Sequence, residues 1–114
     1  MSFEASLARV LDPEGLYWNY PGDDKDDPSQ DRLIEVRIDV PNDRASSAQS
    51  LMNQNGWQLA SQPDEPSDPI QRLYFRKVQS LLPLDRTAML TTALRAAHDA
   101  DGKFWSWLDR PEDK

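Results

Sequence analysis

From Leu33 to Val40 apolar and polar residues alternate without a break: Ile34, Val36, Ile38 and Val40 share one parity, and Glu35, Arg37 and Asp39 the other. A period of two over this length predicts a β-strand with one buried and one wet face. The period then changes. After Pro41-Asn42-Asp43 comes a helical stripe of Ala45, Ala48, Leu51 and Met52, with Asn42 or Asp43 as the expected N-cap and Gly56 as a left-handed stop. This helix is rich in Ser and Asn, so packing rather than propensity must hold it. Trp57–Ala60 predicts a short second strand, and Pro63, Pro66 and Pro69 mark an exposed connection after it. Ile70 to Leu82 predicts a long central strand, with Leu73 and Phe75 on one face and Arg72, Tyr74 and Arg76 on the other. Alternation fails near Lys77-Val78, where a bulge is expected. A last helix is expected from Asp85 as N-cap to about Ala100, on a stripe of Leu90, Ala93, Leu94 and Ala97, with Gly102 ending it. Lys103 to Leu108 closes the pattern as a strand, Trp105 and Trp107 lying opposite Phe104, Ser106 and Leu108.

Upstream, Ser2 is placed to cap a short helix with Phe3, Leu7, Val10 and Leu11 on one face. Asp12-Pro13-Glu14-Gly15 ends it, and the aromatic run Leu16–Tyr20 follows. Asp23 to Asp31 contains no large apolar residue and reads as a solvated acidic loop. Its spacing lacks the alternate oxygen ligands, central glycine and distal glutamate of a calcium-binding EF-hand.

Two strand-helix-strand units in series, joined by right-handed crossovers, interleave into one antiparallel sheet with both helices on a single face. The expected fold is therefore α+β, a ferredoxin-like βαββαβ arrangement preceded by the N-terminal helix and acidic loop. The organisation this implies is 1–31 for helix and loop, 32–110 for the α+β domain and 111–114 for a charged tail. One sheet face is left for the N-terminal segment or a second copy of the chain to cover.

Composition narrows the chemistry. The 114 residues suit one domain with a modest core, at 38% hydrophobic and 29% charged. Without cysteine there is no disulfide, thiolate metal site or cysteine nucleophile. Nothing approaches the ~20 apolar residues of a membrane span, and Met1–Glu4 has no leader pattern, so a soluble cytoplasmic protein is expected. The net charge of −7 opposes direct nucleic-acid binding. The imbalance is concentrated early, with 11 acids against 5 bases in residues 1–56 and 9 against 8 in residues 57–114.

His98 is the only histidine, and it falls late in a helix beside Asp99 and Asp101, where it suits the helix dipole better than catalysis. The four glycines stand singly at element boundaries, so no phosphate-binding loop is present. Arg72, Arg76 and Lys77 interleave with Tyr74 and Phe75 as in base-stacking sheets, but also as in a strand that balances Glu35 and Asp39. No catalytic, metal or cofactor residues are assigned.

The stretch from Leu33 to Leu108 resembles the family of regulator of ribonuclease activity B, small acidic bacterial proteins that inhibit ribonuclease E. The resemblance rests on element order, on Asn55-Gly56-Trp57, on Leu81-Leu82-Pro83-Leu84-Asp85, and on Ala100-Asp101-Gly102-Lys103-Phe104-Trp105-Ser106-Trp107. Phe104 and Trp107 match the outer aromatics of the family's Tyr-Asp-Gly-Trp ending, while Trp105 and Ser106 replace its Asp and Gly. The family's acidic tail has its nearest equivalent in Asp23 to Asp31.

The resemblance implies a non-enzymatic regulator that binds and inhibits a protein partner with a basic surface, such as a ribonuclease E-like enzyme. The expected partner-binding residues are Asp23, Asp24, Asp26 and Asp27 for charge, and Trp18, Trp105 and Trp107 as aromatic anchors. An immunity protein or phage-encoded antagonist fits the same composition. A small ligand-binding module or enzyme is a third reading, and a homodimer through the free sheet face is an expected assembly.

Overall fold

A computed structural model describes residues 2–12, 14–15, 17–18, 29–60 and 69–109 of the chain. The elements run α1 (Phe3–Val10), β1 (Arg32–Pro41), a 3-10 turn (Asn42–Arg44), α2 (Ala45–Gln54), β2 (Gln58–Leu59), β3 (Ile70–Gln79), α3 (Pro83–Asp99) and β4 (Lys103–Asp109). The fold is α+β, one four-stranded antiparallel sheet in the order β2-β3-β1-β4 with three helices. The acidic loop and the charged tail lie largely outside the described residues.

β1 alternates as its sequence predicts. Ile34, Val36, Ile38 and Val40 are fully buried, while Glu35, Arg37 and Asp39 keep partial access to water. The pairing of β1 with β3 is unbroken from Arg32 opposite Gln79 to Pro41 opposite Ile70. The bulge expected at Lys77-Val78 is therefore not there. It lies in β4, where Arg37 faces Ser106 but Ile38 faces Phe104, leaving Trp105 as the extra residue. That insertion resets the parity: Phe104 and Trp107 both turn into the core, at 4% and 3% exposure, and Trp105 turns out. The expected grouping of Trp105 with Trp107 is thereby overturned, because strict alternation cannot bury Phe104 and Trp107 on the same face.

Helices α2 and α3 pack on the inner face. Ala48, Met52, Met89, Leu90, Ala93, Leu94 and Ala97 join β1 and β3 in one buried cluster, with Trp57 the largest side chain fully enclosed. Ser2 caps α1 through its Oγ, which accepts from the Ala5 N–H at 3.2 Å. The other two expected caps are not formed. Pro41 leads into the 3-10 turn and neither it nor α2 has a side-chain cap. Helix α3 begins two residues before Asp85, with Pro83 at its first position, where a missing N–H costs nothing. Asp85 instead accepts a hydrogen bond from the Ser80 hydroxyl, which ties the helix start to the end of β3.

Both long helices end in the same six-to-one closure. Trp57 N–H donates to Met52 O at 3.0 Å and Gly102 N–H to Ala97 O at 2.7 Å. In α2 the left-handed position is Gly56, at φ +88°, as expected. In α3 it is Asp101, at φ 56°, not Gly102. Gly102 is glycine for another reason: a Cβ there would press on the Asp39 carbonyl oxygen and sit 2.6 Å from Val40 Cγ1.

The described N-terminal residues pack on the helix side, not across the outer sheet face. Phe3 meets His98 edge-on at 5.5 Å, Arg95 lies over the Phe3 ring at 4.0 Å, and Tyr17 tilts against Phe104 at 5.2 Å.

These two turn positions predict opposite effects in urea unfolding. Gly102→Ala loses about 2 kcal/mol or more, because the new methyl has backbone on one side and a core valine on the other. Asp101→Gly gains about 1 kcal/mol by removing a left-handed Cβ penalty.

Candidate interaction face

The outer face of the sheet is built in rows. Arg76, Glu35 and Leu108 form one, Tyr74, Arg37 and Ser106 the next, and Arg72, Asp39 and Lys103 a third. Two ion pairs organise them. Arg37 holds Asp39 through Nε and Nη2, both at 3.0 Å, and Arg76 Nε meets Glu35 Oε2 at 2.8 Å across the strands. The carboxylates are the better covered partners, their side chains 15% and 13% exposed against 30% and 29% for the arginines. These pairs fix the guanidiniums flat on the sheet and leave their stems as part of its surface.

Trp105 stands on this face because of the bulge. Its ring lies between two cations, Arg37 at 4.9 Å and Lys103 at 4.2 Å, and the residue remains 45% exposed. Six large apolar residues are exposed among those described, and four of them, Ile70, Val78, Trp105 and Leu108, belong to this face. The other two, Leu82 and Leu84, flank Pro83 at the start of α3. Apolar side chains scattered singly need no explanation, but a set gathered on one side of a sheet does.

The expected anchors separate. Trp105 is exposed on the outer face, on the edge strand β4. Trp107 is a core residue whose Nε1–H donates to the Tyr17 carbonyl at 2.6 Å, so it offers no exposed surface. Trp18 is half-buried on the helix side, with Arg86 over its ring at 5.3 Å and Arg86 Nη1 donating to its carbonyl at 3.2 Å. Burial, reinforced by the charge of Arg32, lowers the pKa of Arg86. Asp23, Asp24, Asp26 and Asp27 lie outside the described residues. Ile70, Val78 and Leu108 were absent from the expected set. Their parity was available in the sequence for β3, whereas that of Leu108 depends on the bulge.

The face gathers Arg37, Arg72, Arg76 and Lys103 against Glu35 and Asp39, a basic balance in a chain of net charge −7. Among the described residues no group of three or more His, Cys, Asp or Glu side chains is arranged to hold a metal ion, and no helix is long and apolar enough to cross a membrane.

The two indoles should separate in stability and accessibility. Trp107→Ala is expected to cost about 3–5 kcal/mol, and Trp107→Phe about 1–2 kcal/mol by orphaning the Tyr17 carbonyl. Trp105→Ala should cost less than about 1 kcal/mol, mostly its cation–π contacts. Acrylamide quenching of the four tryptophans would lose its most accessible component in the Trp105 variant alone. No family model, curated protein or solved structure matches this chain.

Proposed function

We propose that this protein is a non-enzymatic regulator that binds and inhibits a protein partner through the outer face of its sheet. The observation that carries the reading is that four of the six exposed large apolar residues among those described, Ile70, Val78, Trp105 and Leu108, lie on one sheet face together with ion pairs that already satisfy one another. An exposed indole held between two cations, on a face that also exposes aliphatic side chains, has the make-up of an interface anchor. Nothing in this role requires catalytic chemistry. A ferredoxin-like reading of the fold is supported by the βαββαβ order after α1 and by a sheet whose central strands, β1 and β3, are flanked by β4 and β2.

The ribonuclease E-like partner comes from the family resemblance, and with it the bacterial cytoplasm as the setting. The net charge of −7 would draw a partner with a basic surface at long range, Asp23, Asp24, Asp26 and Asp27 contributing. At short range the exposed apolar side chains of the outer face supply the contact, its cations meeting a part of the partner that is not itself basic, and its basic balance favours a different protein over a second copy. A two-fold pair would set Arg37, Arg72, Arg76 and Lys103 of both copies on one surface.

The test is binding of a purified ribonuclease E-like enzyme to the immobilised protein by biolayer interferometry, with nuclease activity measured in parallel. Trp105→Ala and Val78→Ser are expected to weaken binding and inhibition at least ~10-fold while lowering the melting temperature by no more than about 5 °C. Binding that ignores both substitutions would remove the face from the mechanism. An absence of binding, with capture of a toxin nuclease instead, would move the partner to that class.

A further inference from the structure

Between α1, α3 and the start of β4 lies a half-open cavity of about 290 Å3. Its floor is apolar, formed by Val10, Ala97 and Phe104, which are 3%, 1% and 4% exposed. Ser6, Arg9 and Tyr17 stand around it. Within the described residues, the Ser6 hydroxyl, the Tyr17 hydroxyl and the Arg9 guanidinium make no hydrogen bond or ion pair. Three donor groups without an acceptor among the described residues therefore border an apolar floor.

Among the described residues the charge of the lining is one-sided. Its ionisable side chains besides Tyr17 are Arg9, His98 and Lys103, and no described carboxylate lines it, in a chain with 20 acids against 13 bases. Two of these side chains are already occupied. Lys103 Nζ is over the Trp105 ring on the sheet face, and the His98 ring packs against Phe3 with Nδ1 3.8 Å from Asp99. Arg9 is uncommitted among the described residues. Tyr17 is held in place by the Trp107 hydrogen bond to its carbonyl and by the stack of its ring on Phe104, so it is ordered before any ligand arrives.

Donors lining a cavity suit an oxyanion, and the apolar floor beside them suits hydrocarbon. The volume is at the lower end for a ligand site, which limits the body to one ring or a short chain. We infer that this cavity binds a small amphipathic monocarboxylate, its head on Arg9 and Tyr17 and its aromatic or aliphatic body on Val10, Ala97 and Phe104. The site is separate from the sheet face and does not depend on the protein partner.

Saturation-transfer-difference NMR with phenylbutyrate, and with phenylbutanol as its uncharged counterpart, tests the inference on the full chain. Phenylbutyrate is expected to bind saturably in the millimolar range or tighter, with Arg9→Gln weakening it at least ~10-fold and phenylbutanol binding no better to wild type than phenylbutyrate does to that variant. Arg44→Gln removes the same charge from an exposed site elsewhere and should leave binding unchanged. Ser6→Trp, at the cavity wall, should abolish binding while the circular-dichroism melt is retained. No saturable binding, equal losses in the Arg9 and Arg44 variants, or undiminished binding in Ser6→Trp would each overturn the site.

Discussion

The fit of β4 against β1 depends on one extra residue. With Trp105 inserted opposite Arg37, Phe104 and Trp107 reach the core from positions three apart, which an unbroken strand does not allow. Trp107 then finds the Tyr17 carbonyl and draws the chain after α1 onto the edge of the core. The same insertion pushes the Trp105 indole onto the outer face, between Arg37 and Lys103. Packing of the N-terminal segment and the character of the outer face are thus two consequences of a single shift in register.

The start of β4 is constrained as tightly from the other side. The turn leaving α3 brings Gly102 against the backbone of Asp39 and Val40, so the end of the helix and the central strand approach without a side chain between them. Small residues extend this closeness along the helix, where Ala93, Ala96, Ala97 and Ala100 are all buried. The penalty for a left-handed residue falls on Asp101 because Gly102 is committed to the close approach. Local turn preference yields here to a tertiary contact.

Charge is distributed against the average of the chain. The protein is acidic as a whole, yet its outer sheet face carries more arginine and lysine than carboxylate, and among the described residues the cavity beside α1 is lined by bases without an acid. Long-range attraction and short-range complementarity therefore follow different rules in this molecule. Net charge sets which partners approach, and local charge sets what seats. The Arg37–Asp39 and Arg76–Glu35 pairs, partly open to water, add modestly to stability and chiefly hold the face in one arrangement.

The sequence by itself determined the elements and most of the core. Period-two alternation in β1, the helical stripes of α2 and α3, the Ser2 cap and the Gly56 stop are local signals, written in adjacent residues and realised as read. Tertiary structure decided what local pattern could not. Whether Trp107 is core or surface turns on pairing with a strand some seventy residues away, and the place of the bulge follows from burying two aromatics together, not from the broken alternation at Lys77-Val78. The start of α3 moved to Pro83 because Ser80 engages Asp85 from outside the helix. Of the expected aromatic anchors, Trp105 alone lies on the outer face, and the cavity beside α1 was not legible at all. Its donors come from a helix and a turn at one end of the chain, its floor from a helix and a strand at the other, and only folding sets them side by side.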